Sequence, residues 1–178
     1  MDLRSPRLNK ILDTWIEEDL GNGDLTRFIL DNRTASAHWI AKEGGIFCGG
    51  GLVQLIFQKI DPNIDIQLLI DDGQKFEKNQ KLLELQGSTS SLVAGERVTL
   101  NVAMHLSGIA TSTHLLVNQL RGSNVQLADT RKTTPGFRVF EKYAFHCGGG
   151  INHRLGLDDA AMLKENHIAW SEGISKSI

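Results

Sequence analysis

The chain has 178 residues, of which 40% are hydrophobic and 22% are charged, a composition typical of globular rather than disordered proteins. Its net charge of −2 and its pI of about 6.3 give no global reason to expect nucleic acid or an anionic membrane as a partner. The N-terminus has charges scattered through its apolar positions, which excludes an ordinary secretory signal, and no stretch approaches the ~20 apolar residues of a membrane span. We therefore expect a cytoplasmic protein.

The first predicted element is an amphipathic helix. Apolar residues from Leu8 to Leu20 recur at the spacing of one helix face, and Gly21 stands where the helix should stop. The following GNGDLT predicts a turn, in which Asp24 or Thr26 caps the next element.

Between Ala35 and Glu84 the pattern changes to short apolar runs separated by turn residues. The runs AHWIAK, IFCGG, IDIQLLI and KLLELQ predict strands, with Asp72 and Gly73 forming a tight turn. Glycines 49–51 open an apolar stretch that predicts a helix, and they do not match the dinucleotide-binding fingerprint. These features indicate a small α+β domain.

The longest helical stretch runs from Ser91 to Leu120, and Gly108 is a candidate for a kink or a division. We place a domain boundary in this stretch, with residues 1–110 as an N-terminal domain with a linking helix and residues 111–178 as the next domain. The predicted core positions of the stretch are Leu92, Val93, Val98, Val102, Leu106, Ile109, Leu115, Leu116 and Leu120.

After the long helix, strand-like and helix-like segments alternate. VQLADT predicts a strand, FRVFEKYAFH a helix, and INHRLGL and AAMLKENHI two further strands. Strand and helix alternation is typical of βα units, and it predicts the start of a parallel barrel or of an open parallel sheet.

The two cysteines, Cys48 and Cys147, lie far apart in the sequence. Neither belongs to a CxxC motif or to a cluster with zinc-ligand spacing, so we expect reduced thiols. The alternative role for Cys147, a nucleophile, has only its neighbour His146 in its favour.

A local excess of positive charge lies between Arg131 and Arg154. This segment has one carboxylate, Glu141, and five cations, which are Arg131, Lys132, Arg138, Lys142 and Arg154. Such a cluster in an acidic chain is what capture of a small polyanion requires. In a parallel barrel, the C-terminal ends of strands converge on one mouth, so cations that follow successive strands can line one pocket.

The ordinary interpretation of each cation by itself is a solvated surface residue, and for His153 and His167 it is a hydrogen-bonded core histidine. Joint occurrence at successive strand ends favours a binding site instead, because burial of unpaired cations in apolar or glycine-rich segments is costly. Arginine can hold a carboxylate with two parallel hydrogen bonds, and lysine adds a point charge.

Five segments of the chain resemble signature segments of quinolinate phosphoribosyltransferases. They are EEDLGNGDLT, AGERVTLNVAMHLSGIAT, DTRKTTPG, CGGGINHRLGL and MLKENHI, in this order. The similarity extends over essentially the whole chain. The fold class that it implies is α/β, with an N-terminal α+β sandwich domain followed by the first part of an incomplete, TIM-like α/β barrel.

The resemblance also implies a site and a reaction. Quinolinate would be held by Thr130, Arg131, Lys132, His153, Arg154 and Lys164, with Lys132 and Lys164 as the catalytic residues. Arg97 would reach the pocket of the partner subunit in a head-to-tail homodimer. The implied transferase reaction joins quinolinate and phosphoribosyl pyrophosphate, with Mg²⁺, to give nicotinate mononucleotide, pyrophosphate and CO₂ in NAD biosynthesis.

The chain is shorter than the family's two-domain fold requires, because a complete barrel alone needs at least about 200 residues. No metal ligand is expected within this chain, and the Mg²⁺-binding carboxylates are expected beyond residue 178. We therefore expect a fragment, a frameshifted product or one part of a split enzyme, without activity of its own. Two alternatives are a non-catalytic homologue, which binds dicarboxylates or pairs with a full-length subunit, and a molybdenum-associated homologue of the same fold.

Overall fold

The computed structural model describes residues 2–30, 33–171 and 173–177. Its five strands are β1 (Thr34–Ile40), β2 (Gly45–Ile46), β3 (Asp65–Leu68), β4 (Lys75–Phe76) and β5 (Lys81–Ser88). Its α-helices are α1 (Pro6–Leu20), α2 (Gly50–Ile60), α3 (Thr89–Gln119), α4 (Arg138–Cys147), α5 (Glu165–Trp170) and α6 (Ile174–Ser177). A short 3₁₀ helix occupies Arg27–Ile29. This mixture of helices and strands is the predicted α/β class.

Helix α1 confirms the first predicted element. Pro6 starts the helix at a position where a missing N–H costs nothing, and Gly21 ends it with a positive φ of 47°. The turn that follows is held by Asp24, whose Oδ1 accepts hydrogen bonds from the Thr26 N–H at 2.7 Å and the Thr26 hydroxyl at 2.6 Å. Thr26 occupies the N-cap position of the 3₁₀ helix without a side-chain cap hydrogen bond, so Asp24 shapes the turn and neither predicted residue caps the helix through its side chain.

The strands form an antiparallel sheet in the order β1-β5-β3 and a separate pair, β2-β4. Exposure alternates along β1, as expected for a sheet with one face on the core. Leu83 and Leu85 of β5 are buried in a cluster with Val53 and Phe57 of α2. The predicted turn after β3 contains Gly73 at a φ of 87°, a backbone conformation that favours glycine.

Helix α3 runs without interruption through Gly108, so the predicted division at this residue is wrong. A single glycine only lowers helix stability, and packing of α3 on α2 and α4 outweighs that cost. Gly95 of α3 lies directly against the ring of buried Phe57, where a Cβ atom would clash. This close approach sets the crossing of α2 and α3.

Three predicted core positions of α3 are wrong, because Val93, Leu115 and Leu116 are 46%, 60% and 49% exposed. Leu92, Val98, Val102 and Leu106 are buried as predicted. Both the exposed and the buried residues were predicted as core positions because they are hydrophobic. Only one stripe of α3 faces α1, α2 and α4, and only the residues on that stripe are buried.

The segment after α3 contains fewer strands than predicted. Ala128 and Ile151 form a single parallel bridge, so the VQLADT and INHRLGL segments do pair in parallel. Residues 161–164 form no strand, and α5 begins at Glu165. A strand needs a neighbour for its backbone donors and acceptors, and within the described residues none lies beside 161–164.

Helix α4 joins this segment to the rest of the molecule. Its Phe140 and Ala144 are buried in one cluster with residues of α1, α2 and α3. Trp15 of α1 also stacks on Phe137 with ring centroids 5.1 Å apart.

In the described part of the chain, no helix has both the length and the apolar character that crossing a bilayer requires.

Candidate functional site

The candidate site is built on the parallel contact between two chain segments. The Ile151 N–H donates to the Leu127 carbonyl at 2.9 Å, and the Asp129 N–H donates to the Ile151 carbonyl at 3.1 Å. Both segments run in the same direction, so residues 130–132 and residues 153–154 leave the bridge on the same side. The structure thus brings together two of the three predicted cationic segments.

The first segment contains Thr130, Arg131 and Lys132. Thr130 Oγ1 accepts a hydrogen bond from the Lys132 N–H at 3.1 Å, which turns the chain sharply, and the side chain of Lys132 is exposed. The Nε atom of Arg131 is buried and has no hydrogen-bond partner among the described residues. A buried donor without an acceptor is costly, so this Nε–H is a hydrogen-bond donor that the described part of the protein does not use.

Arg138, another member of the cationic cluster, has a structural role. Its Nε donates to Thr133 Oγ1 at 3.1 Å, and its two terminal nitrogens donate to the carbonyls of Leu155 and Arg131 at 3.2 and 3.4 Å. It therefore ties the first segment to the second, and its donors are used within the protein.

The second segment places His153 and Arg154 in a pocket of about 440 Å³ beside α4. His153 Nδ1 accepts the Arg154 N–H at 2.7 Å, which leaves Nε2 as the protonated nitrogen of a neutral ring. A terminal nitrogen of Arg154 donates to the Ala160 carbonyl at 2.6 Å. The residues that line this pocket do not include Arg97, Thr130, Arg131, Lys132 or Lys164.

Lys164 lies at the start of α5 rather than in a third strand, and its side chain is exposed. Its N–H donates to His167 Nδ1 at 3.2 Å, so His167 stabilises a helix end and is not a core histidine. Arg97 lies on an exposed position of α3. Neither residue is brought into the pocket that contains His153 and Arg154.

The adjacent carboxylates Asp158 and Asp159 cap no helix. They lie in a turn, where Asp159 Oδ2 accepts the Leu155 N–H at 2.7 Å. This bond shapes the loop that carries Arg154 towards Ala160.

Lys142 and Asp129 form a buried ion pair that was not predicted from the sequence. Lys142 was predicted only as one of the five cations between Arg131 and Arg154. The Lys142 and Asp129 side chains are almost fully buried, at 5% and 7% exposure. No local signal distinguishes Lys142 from an exposed lysine, because its partner belongs to a different segment. The pair lies directly behind residues 130–132 and 153–154.

The structure also brings the two cysteines together. Cys48, which precedes α2, hydrogen-bonds to Cys147 at the end of α4, and both are free thiols. Its hydrogen bond to Cys147 and its burial raise the pKa of Cys48, whereas the hydrogen bond from Cys48 lowers the pKa of Cys147 against the opposing effect of burial. The expectation of reduced thiols agrees with this arrangement, but the contact between them was not predicted from the sequence.

Asp72 completes this cluster, since its ligand atom and the two sulfurs lie within 4.8 Å of one another. Its carboxylate is already occupied, because Oδ1 accepts the N–H groups of Gly49 and Gly50 at 2.9 Å and Oδ2 accepts the Tyr143 hydroxyl at 2.8 Å. Mg²⁺ prefers hard oxygen ligands in octahedral geometry. The cluster therefore does not fit the magnesium ion that the family resemblance implies.

Comparison with known families matches both parts of the chain. The model of the N-terminal domain of quinolinate phosphoribosyl transferase matches residues 24–107, and that of the C-terminal domain matches residues 109–178. A probable carboxylating nicotinate-nucleotide pyrophosphorylase of Synechocystis is 44% identical over 168 residues, which are 94% of this chain and 57% of the relative. Its counterpart in Bacillus subtilis is 44% identical over 164 residues, 92% of this chain and 57% of the relative.

Solved structures agree with these relatives. NadC from Streptococcus pyogenes has a TM-score of 0.93 at 39% identity, over 99% of this chain and 64% of that one. The nicotinate-nucleotide pyrophosphorylase from Francisella tularensis has a TM-score of 0.92 at 40% identity, over 94% and 60%. The chain spans about half the length of the curated relatives that it matches, from 49% to 57%.

Proposed function

Because the chain belongs to the quinolinate phosphoribosyltransferase family, we propose that it is the quinolinate-binding part of such an enzyme. The complete reaction is a pentosyl transfer from phosphoribosyl pyrophosphate to quinolinate, with loss of pyrophosphate and CO₂, which yields nicotinate mononucleotide for NAD biosynthesis. We further propose a cytoplasmic location, which the two adjacent but unlinked thiols support.

The observation that carries the proposal is the parallel contact between Ala128 and Ile151. It directs the segments of Arg131 and Arg154 to one side of the molecule, and the Nε of Arg131 is buried without a partner among the described residues. Quinolinate has two carboxylates on neighbouring ring carbons. Two arginines on adjacent segments suit such a dianion, because each guanidinium can hold one carboxylate through two hydrogen bonds.

The other predicted residues complete the proposed site. Lys132 and Lys164 add positive charge near the carboxylates, and the backbone around Thr130 and the ring of His153 add hydrogen-bond donors. Since Lys164 precedes an exposed helix end, its approach to the ligand requires the segment 160–164 to lie along the site. Lys132 and Lys164 are the proposed catalytic residues.

The proposed residues would act by orientation and by preorganised charge. They would hold the pyridine so that its nitrogen faces the ribose carbon that loses pyrophosphate. When the N–C bond has formed, the ring is cationic and stabilises the electron pair left on C2 as CO₂ leaves, and C2 then takes up a proton from water. No protein nucleophile is needed for either step, which agrees with thiols that lie in a separate cluster with Asp72.

Two elements of the proposal lie outside the described site. We place the carboxylates that hold Mg²⁺ beyond residue 178, and we derive no step through the ion. Arg97, exposed on α3, would enter the pocket of a second subunit in a homodimer. Sedimentation analysis of the wild-type chain and of Arg97→Gln, with quinolinate titrated into each, tests this part. A monomeric chain whose affinity for quinolinate still depends on Arg97 would contradict the dimer assignment.

Calorimetric titration of the 178-residue chain with quinolinate and with nicotinate tests the binding function. Loss of a charged hydrogen-bonding partner costs about 1.5–3 kcal/mol, so Arg131→Gln and Arg154→Gln should each weaken quinolinate binding by roughly 10-fold to 100-fold. Arg121→Gln is the matched control, because Arg121 is exposed and precedes the bridged segment. Equal binding of quinolinate and nicotinate would argue against the assignment and for the molybdenum-associated homologue.

We expect no release of pyrophosphate or CO₂ when the chain is given quinolinate, phosphoribosyl pyrophosphate and Mg²⁺. The negative charge that develops on pyrophosphate needs a metal ion held beside it, and the described residues near the site offer no fitting set of ligands. Turnover that disappears in Arg131→Gln would contradict this expectation. Quinolinate binding without turnover would also agree with the non-catalytic alternative. Addition of a chain that carries the remaining length of a full-length relative distinguishes the two, because only the enzyme part should then gain turnover.

A further inference from the structure

A buried ion pair lies directly behind the two cationic segments. The Lys142 ammonium donates to Asp129 Oδ1, and these side chains are only 5% and 7% exposed. Removal of two charges from water is costly, so a buried ion pair is weak evidence of stabilisation by itself. The other hydrogen bonds of Asp129 indicate a role in holding the two cationic segments.

Asp129 is the centre of a small hydrogen-bond network. Its Oδ1 also accepts the backbone N–H of His153 at 2.8 Å. The side-chain amide nitrogen of Asn152 lies 2.8 Å from Asp129 Oδ2 and 2.9 Å from the Lys142 carbonyl oxygen, and these acceptors define the orientation of the amide. Both carboxylate oxygens are therefore occupied by donors from α4 and from the second cationic segment.

The network begins where the backbone pairing ends. The bridge includes bonds from Ile151 N–H to the Leu127 carbonyl and from Asp129 N–H to the Ile151 carbonyl. In a continued parallel ladder, the next donor would be the His153 N–H and its acceptor the Asp129 carbonyl. Here the same N–H donates to the Asp129 carboxylate instead. The Asp129 side chain thus aligns the two segments at the position where the backbone pairing stops.

We propose that Asp129, held in place by Lys142 and Asn152, is a positioning residue that fixes Arg131 relative to Arg154. Asp129 precedes the first cationic segment, and its acceptor oxygen holds the backbone just before Arg154. Lys142 acts through Asp129, because its ammonium is buried and engaged. The inference rests on the proposed dicarboxylate-binding function of the two arginines.

Three variants of the 178-residue chain test the proposal. Lys142→Met keeps the length of the side chain and removes its charge. The double variant Asp129→Asn with Lys142→Met removes both charges but keeps an oxygen that can accept the His153 N–H. Lys81→Met is the control, because it breaks an ion pair with Glu84 whose side chains are 44% and 45% exposed, and exposed pairs contribute little.

Two measurements apply to each variant: hydrogen exchange at the His153 amide by NMR, and calorimetric affinity for quinolinate and nicotinate. In Lys142→Met we expect exchange at His153 to be at least about 10-fold faster, since an unpaired buried carboxylate must move or take up a proton. Quinolinate affinity should fall by about 10-fold or more, with a smaller change for nicotinate, because two aligned arginines matter most for two carboxylates. The double variant should recover the His153 protection, and Lys81→Met should match wild type.

Unchanged exchange at His153 in folded Lys142→Met would overturn the proposal. Equal losses of quinolinate and nicotinate affinity would also overturn it, because general destabilisation lowers both alike. The same holds if the double variant folds but leaves His153 unprotected. If the wild-type chain fails to bind quinolinate, the proposed function fails, whereas exchange at His153 still decides whether Lys142 and Asp129 hold the two segments together.

Discussion

The part of the chain up to α3 and the part after it use their hydrophobic residues differently. Among the described residues, the buried hydrophobic side chains after residue 119 are Phe140 and Ala144, both on α4. The later part exposes Val125, Val139, Ile151, Leu155, Leu157, Met162, Leu163, Trp170 and Ile174. The first part contributes the other buried hydrophobic residues, although it also exposes apolar side chains such as Leu25, Phe28 and Ile29. The later part therefore has little core of its own, and α4 attaches it to the core of the first part.

The largest expected effect contrasts a core leucine with an exposed tryptophan. Leu106 is fully buried where α3 meets α1, α2 and α4, so Leu106→Ala should lower the free energy of unfolding by about 2–5 kcal/mol. Trp170 is 84% exposed, and Trp170→Ala should change it by less than about 0.5 kcal/mol. Urea unfolding of both variants measures the contrast. Similar losses would mean that Trp170 is covered in solution, for example by a second copy of the chain.

A smaller effect separates two glycines of the same helix. Gly95→Ala places a methyl group against the ring of Phe57, and overpacking of a core costs about 1–3 kcal/mol. At Gly108 the Cβ position has no atom within 4 Å, so Gly108→Ala should raise stability by about 0.5–1 kcal/mol through helix propensity. Thermal unfolding should therefore shift in opposite directions. A stabilising Gly95→Ala would show that α2 and α3 can separate at no cost.

The sequence predicted the elements of the first part well because their signals are local. The spacing of apolar residues defines α1, α2 and α3, and alternation with turn residues defines β1, β3 and β5. Exposure of Val93, Leu115 and Leu116 could not be predicted, since hydrophobicity does not indicate which helix face meets a neighbour. Strand formation in the later part also depends on neighbours, which is why AAMLKENHI gave a wrong prediction.

Within the candidate site, the sequence identified the cations but not the network that holds them. Arg131 and Arg154 stand out by type and position, and the structure directs their segments to the same side. The pairing of Lys142 with Asp129, and that of Cys48 with Cys147, join residues from different elements. Such contacts follow from the packing of α4 on the remainder of the molecule, which no local pattern encodes.

The contact between Cys48 and Cys147 joins the two parts of the molecule. The reactivity of the two thiols tests this contact. Since the pKa of Cys147 is lowered and that of Cys48 is raised, a thiol reagent should label Cys147 first, at a pH below the usual thiol range. Cys48→Ala removes the hydrogen bond that contributes most to the lowered pKa of Cys147, so the labelling profile of Cys147 should move to higher pH and its rate at pH 7 should fall several-fold. Cys147→Ser should abolish the faster of the two labelling reactions. Equal rates for both thiols would mean that α4 separates readily from Cys48.

The smallest expected effect concerns Glu141, which joins α3 to the loop before α4. Its Oε1 lies 3.2 Å from His105 Nε2, and its Oε2 accepts the Thr134 N–H at 3.2 Å. Burial opposes ionisation, but the hydrogen bonds from Thr134 and His105 outweigh it and hold the pKa of Glu141 below its usual value of 4.5. The folded state therefore favours the ionised carboxylate, and this contribution is complete above pH 4.5 and is lost as the pH falls through the lowered pKa.

Glu141→Gln should accordingly cost about 0.5–1.5 kcal/mol at pH 7, and the difference from wild type should shrink as the pH falls below 4.5. Urea unfolding between pH 3 and pH 7 measures the difference. Glu77→Gln is the control, because Glu77 and its partner Lys75 are 72% and 68% exposed and should show almost no difference at any pH. A difference for Glu141→Gln that stays constant with pH would mean that shape rather than charge links the two parts of the molecule at this position.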